Sequence, residues 1–295
     1  MSDGTRGRGR RERAPKRQAN TDLRPRVVSG LVLIALSVLF TWVGGTPFTM
    51  VICVIGAILY YEWTRMTLLP TQAFSVRFCA ALFAGGTIAL LFGQIGWAFA
   101  IAVAGSGVLA VIVNRRFIVT ATLRRAKWAI AGLFYALVAT VSLVVVRLAH
   151  TRPEAVGEWY ADRGLILMAY LLAVVWATDI AAYFVGRRFG GPKLLPIVSP
   201  KKTWSGALGG VAGAAVVGAI FGLSPVGFDV LAGVSLAIVL SVVAQAGDLF
   251  ESWVKRRYRV KDSSRLIPGH GGFMDRVDGL VAAAVPLAIY VAATN

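Results

Sequence analysis

The chain has 295 residues, 57% of them hydrophobic and only 15% charged, with a formal net charge of +17. A mean hydropathy of +0.70 excludes an ordinary soluble domain and describes a polytopic membrane protein. Its basic residues fall in the amino-terminal tail and in loops, so the membrane explains the charge better than nucleic acid does, and no nucleic-acid partner is expected.

In chain order, residues 1–26 form a polar, arginine-rich segment that reads as a disordered cytoplasmic tail. No short apolar region with a cleavage site separates from the first span, so a signal peptide is not expected. Nine apolar stretches follow, near 27–44, 46–62, 76–93, 95–113, 128–149, 165–185, 206–222, 228–250 and 279–294. The expected fold is therefore all-α, with about nine transmembrane helices. It divides into amino-terminal helices over 27–150 and a carboxy-terminal catalytic region over 151–295. Spans rich in Gly and Ala favour close helix packing and permit a homodimer. Cys53 and Cys79 lie in or beside apolar runs and offer no disulfide framework or metal spacing.

Placing the amino terminus in the cytoplasm puts all but three of the 31 Lys and Arg on the inner side; the exceptions are Arg147, Arg152 and Arg163. That bias predicts a multi-pass protein of the inner (plasma) membrane with its carboxy terminus outside. The loop 150–164 is then extracytoplasmic. The first half is chemically quiet: Glu62 and Arg65, at i and i+3, read as a structural ion pair.

Two polar segments interrupt the apolar pattern. The first, 176–206, places Asp179 about two turns inside the sixth span, an expensive position for a charge. The loop after it carries glycines, prolines and five basic residues. Within it Ser199, Lys201, Lys202 and Thr203 offer two ammonium groups and two hydroxyls, which suits a triphosphate. From charge alone a positive-inside loop is the preferred reading, and the segment lacks the spacing of a Walker A loop.

The second segment, 248–278, holds five of the fourteen carboxylates and seven basic residues between two spans. If the preceding helix runs on, Asp248, Ser252 and Lys255 share a face. Asp275 and Asp278 open the next helix, where they also read as simple helix-start residues. Gly269, Gly271 and Gly272 around His270 allow close backbone approach, as a phosphate cradle requires.

This segment resembles the signature of the phosphatidate cytidylyltransferase family. The matching residues are Ser252, Val254-Lys255-Arg256, Lys261-Asp262, Ser264, Ile267-Pro268, His270 to Phe273, and Asp275 to Asp278. Thr178-Asp179, Ala182 to Phe184, Gly186-Arg187 and Ser199 to Thr203 resemble a second segment of the same family; Ser205 departs from it, where many relatives carry an acidic or larger polar residue. The resemblance implies transfer of a cytidylyl group from CTP to phosphatidic acid, with pyrophosphate as the other product. It also implies one or two Mg²⁺ ions, with room for a second, monovalent ion. Asp248 and Asp275 are the expected metal ligands, with Asp278 and Asp179 as second choices. Ser199, Lys201, Lys202 and Thr203 are the expected contacts for CTP phosphates. Lys255, Arg256, Lys261 and Arg276 are expected to hold lipid phosphate or leaving pyrophosphate, with Ser252, Asp262 and His270 as polar contacts. An ion-coupled transporter, or a related lipid nucleotidyltransferase or kinase, is the alternative reading.

Overall fold

The computed structural model describes residues 35–70, 72–116, 120–149, 162–224, 229–264, 266–267 and 271–294. A short helix α1 covers 35–43. Then follow α2 (Gly45–Met66), α3 (Phe74–Leu91), α4 (Ile95–Arg116), α5 (Thr120–Arg147) and α6 (Arg163–Phe189). Strands β1 (Lys193–Leu195) and β2 (Ser199–Thr203) precede α7 (Trp204–Leu223), α8 (Val230–Arg257) and α9 (Met274–Thr294). Eight of these helices, α2 to α9, are long and apolar enough to cross a membrane. The expected span at 27–44 is helical from 35, and the rest of it, with the tail 1–26, lies outside the described residues. The chain is an all-α polytopic membrane protein with one small addition: the basic loop after α6 folds as an antiparallel hairpin, Lys193 opposite Thr203 and Leu195 opposite Ser199.

Side-chain caps set several helix starts. Asp162 accepts the Leu165 N–H at 2.8 Å, Thr203 Oγ1 accepts the Gly206 N–H at 3.1 Å, and Asp229 accepts the Ala232 N–H at 3.1 Å. Helix α6 ends on Gly190, whose φ of 61° needs no Cβ.

Helices α6 to α9 pack as consecutive neighbours, and α5 lies against both α2 and α9. One buried cluster joins α2 to α5 with Val254, Met274 and Val281. A second joins α5 to α9 with Phe48 and Ile52 of α2. Buried side chains thus run without a break from the first half of the chain to the second. Helix α7 faces its neighbours with Gly206, Gly210, Ala214 and Gly218, one small residue per turn. A Cβ on Gly206 would lie 2.9 Å from the Ala182 carbonyl oxygen, so α6 and α7 touch backbone to backbone.

The polar contacts sort to the two ends of the bundle. At one end Arg147 closes α5 onto the carbonyls of Thr41 and Trp42 and pairs with Asp162 at 2.8 Å. Arg163 donates to Thr294 Oγ1 at that same end, at 2.8 Å. The end of α2, the hairpin, the end of α8 and the start of α9 meet at the other.

Candidate active site

Helices α6, α7 and α8 and the hairpin enclose a cavity of about 560 Å³. Its walls include Asp179, Arg187, Lys193, Lys201, Lys202 and Gln245, and the backbone of Gly186, Gly190, Gly191 and Gly206. Thr203 both ends β2, opposite Lys193, and caps α7. Thr203 Oγ1 lies 3.1 Å from Ser205 Oγ, which in turn donates to the Gly190 carbonyl. Ser205, the one departure from the family pattern, thus ties the end of α6 to the start of α7.

Lys202 forms an ion pair with Asp248 of α8. Ser252 Oγ lies 3.4 Å from Asp248 Oδ1, as their shared face predicts. Asp179 of α6 lies within electrostatic reach of Asp248 of α8, Asp278 of α9 and Lys202 of the hairpin, and Asp248 within reach of Asp278. Gln245 donates at 3.3 Å to the Ala207 carbonyl and lies 3.4 Å from Ser241 Oγ, fixing the floor between α7 and α8.

The third residue of the α8 face turns elsewhere. Lys255 Nζ sits 2.8 Å from Asp275 Oδ1 and 3.2 Å from Glu251 Oε1. Glu251 is fully buried, and neither of its oxygens has a well-directed hydrogen bond among the described residues, so Lys255 is its charge partner. Asp275 Oδ2 accepts the Ser263 N–H at 2.9 Å and the Gly272 N–H at 3.0 Å. Asp248 and Asp275, expected to converge on a metal, therefore each hold a different lysine. Among the described residues, no three Asp, Glu, His or Cys side chains form a ready-made metal cage.

Glu62 corrects one expectation and supplies a missed residue. It does not form the i, i+3 pair with Arg65: its carboxylate is fully buried while Arg65 is exposed. Oε1 accepts the Phe273 N–H at 2.8 Å and the Ser264 hydroxyl. Oε2 accepts the Met274 N–H at 2.6 Å, with Ser263 Oγ at 3.2 Å. The physical reason is that the loop between α8 and α9 presents several donors over a dry core. A carboxylate receiving them is far better satisfied than one paired with a solvent-side guanidinium.

The remaining candidates divide. Ser199, Lys201, Lys202 and Thr203 share the hairpin. Thr203 is buried, with its hydroxyl engaged as a cap. Arg256 donates to the Val198 carbonyl at 3.4 Å, joining α8 to the hairpin turn. Lys261, Asp262 and Arg276 lie exposed around the second loop. His270 falls outside the described residues.

The fold and this site define a class: an integral membrane protein with a lysine- and carboxylate-lined cavity, open to glycine backbone, at one end of its helices. The chain matches the Cytidylyltransferase family over residues 24–294 and belongs to it. A phosphatidate cytidylyltransferase of Brucella suis biovar 1 is 43% identical over 272 residues, covering 92% of this chain and 93% of the relative. Shorter matches centre on part of the chain. That of Haemophilus influenzae is 47% identical over 132 residues (43% of this chain, 46% of the relative), and that of Bacillus subtilis 45% over 121 residues (40% and 44%). Both relatives are named phosphatidate cytidylyltransferase.

Proposed function

We propose that this chain is a nucleotidyltransferase of phospholipid biosynthesis that transfers the cytidylyl group of CTP to phosphatidate, giving CDP-diacylglycerol and pyrophosphate. The observation that carries it is the ion pair that Lys202, on the wall of the 560 Å³ cavity, makes with Asp248 of α8. It joins the basic hairpin to the helix that begins the acidic signature, so the two segments expected to act together meet. The names of the relatives give the same reaction.

In this reading Lys201, Lys202, Arg187 and Lys193, with Ser199, neutralise the triphosphate of CTP along the hairpin, as ammonium and guanidinium groups do for polyanions. The phosphate monoester of the lipid approaches from the α8–α9 loop, held by Arg256, Lys261 and Arg276, with Ser252, Asp262 and His270 as polar contacts. Its oxygen forms a bond to the α-phosphorus as the bond from that phosphorus to the β-phosphate oxygen breaks, and pyrophosphate carries away the electron pair. A phosphate dianion is already a nucleophile at neutral pH, so no general base is assigned. Rate comes from alignment and charge neutralisation.

The donor set fits Mg²⁺, which takes one or two protein carboxylates and completes its shell with phosphate and water. Asp248, with Asp179 and Asp278 within electrostatic reach, has that chemistry. Asp275, with Oδ1 on Lys255 and Oδ2 on backbone N–H groups, is better placed to position the loop. The bound ion would offset the charge of the two phosphates. The protein sits in the plasma (inner) membrane with its amino terminus and the cavity on the cytoplasmic side, where nucleotides are. Gly96 and Gly107 on α4, where an added Cβ would meet nothing, leave a surface compatible with a homodimer. Phosphatidate-dependent release of pyrophosphate from CTP by purified protein, lost on chelation and restored by Mg²⁺, is the expected result. Release independent of the lipid would count against the reading.

A further inference from the structure

A second basic cavity shares no lining residue with the first. It has a volume of about 420 Å³ and sits where the end of α2, the start of α5 and the end of α8 meet. Arg124, Arg125, Arg257 and Arg259 surround it, with Trp128 and Tyr258 as the aromatic wall. Among the described residues no carboxylate lines it or lies within ion-pair distance of the four arginines.

The cup is built, not a chance meeting of loop charges. Among the described residues only Leu68 and Arg259 are non-glycine residues with positive φ, 54° and 56°, and both line this cavity. Each is the left-handed residue that ends a helix, α2 and α8 respectively, in a Schellman-type turn, so both helix ends turn at the rim of the cup. The turn at Arg259 is locked by its N–H to the Arg256 carbonyl at 3.1 Å and by the Val260 N–H to the Lys255 carbonyl at 3.0 Å. Trp128 packs edge-on against Tyr258 at 5.2 Å, and its carbonyl accepts the Trp63 indole N–H at 2.9 Å. The Arg257 guanidinium lies 6.0 Å from the ring centroid of Trp253.

We propose that this cup binds the phosphate of an anionic membrane lipid, as a site separate from the reaction cavity. Several guanidinium forks facing one space match phosphate oxygens. Trp and Tyr beside them are the side chains that settle at the membrane interface, where basic residues attract anionic headgroups. Leu68 and Trp253, 65% and 44% exposed beside the cup, supply apolar surface for acyl chains, which a free phosphate would not use. The assignment does not depend on the reaction proposed above.

The test is native mass spectrometry of the full chain in detergent with dioleoyl phosphatidylglycerol, dioleoyl phosphatidylcholine or inorganic phosphate. The wild-type chain should retain phosphatidylglycerol at least about tenfold more tightly than phosphatidylcholine, and inorganic phosphate at millimolar concentration should not displace it. R124Q/R257Q should lose most of that preference, and R124K/R257K, which keeps the charge but not the forks, should fall between. Equal retention of the two lipids by the wild-type chain would overturn the proposal without reference to any variant. So would undiminished phosphatidylglycerol retention by R124Q/R257Q. Displacement by inorganic phosphate would make the cup a site for the free anion and overturn the lipid assignment.

Discussion

The buried carboxylate of Glu62 accepts the backbone N–H of Met274 at 2.6 Å, joining positions 212 residues apart. Through this contact the second helix of the membrane bundle holds the first turn of the last one. The same carboxylate receives Phe273 N–H and the Ser264 hydroxyl, so one side chain shapes the loop that carries Asp275. Replacing Glu62 by Gln should weaken those bonds and turn one acceptor into a donor facing other donors. Losses of this kind at buried, charge-assisted networks cost about 2–4 kcal/mol. Thermal unfolding in detergent should show a lower midpoint, and proteases should cut between Arg259 and Phe273 sooner than in the wild type.

Asp248→Asn should lower turnover severely while the protein stays folded, because it removes both the charge opposite Lys202 and the best placed Mg²⁺ donor. Lys202→Met should also lose most activity. If the two act as one unit, the double variant should be no worse than the poorer single variant. Additive losses in the cycle would separate their roles.

Asp275 gives a contrasting expectation. Its oxygens are engaged by Lys255 and by the N–H groups of Ser263 and Gly272. Asp275→Asn should lower turnover through a disordered loop, with little change in the Mg²⁺ concentration needed for half-maximal rate. Asp248→Asn, where residual activity is measurable, should raise that concentration. Mg²⁺ titrations of both variants distinguish a positioning carboxylate from a ligand.

Gly206 tests the closeness of α6 and α7. A Cβ there would lie 2.9 Å from the Ala182 carbonyl oxygen and 3.3 Å from the Gly186 Cα, with backbone on both counts unable to rotate away. Gly206→Val should destabilise the protein by about 1–3 kcal/mol, the usual cost of overpacking. It should also widen the cavity mouth, so its KM for CTP should rise; thermal unfolding and CTP saturation curves check the two effects.

Hydropathy carried most of the fold: each expected span overlaps an observed helix, because only a helix satisfies backbone polar groups in lipid. Helix α8 runs on to Arg257, past the apolar limit near 250, since the Glu251–Lys255 pair along the helix and the Lys255–Asp275 contact to α9 support its polar turns. Lys202 and Asp248 were legible as site candidates because charges dense with glycine and proline stand out in apolar sequence. Their meeting was not, as it depends on how α6 and α8 cross. Glu62 was misread for the opposite reason. A lone acid with an arginine three residues on looks locally satisfied, and its real partners come from a loop 200 positions away. An acid inside an apolar helix was the available signal. Gln245 gave less: a single amide in a span has many uses, and only packing shows that it floors the cavity.

The most direct measurement of the central claim is the fate of label from CTP when purified protein, phosphatidate and Mg²⁺ are mixed. Label in the α-phosphate should pass into the lipid fraction as CDP-diacylglycerol, and label in the γ-phosphate should appear only in pyrophosphate. Transfer of γ-label to lipid would show a kinase, and absence of α-label from lipid with demonstrably folded protein would contradict cytidylyl transfer.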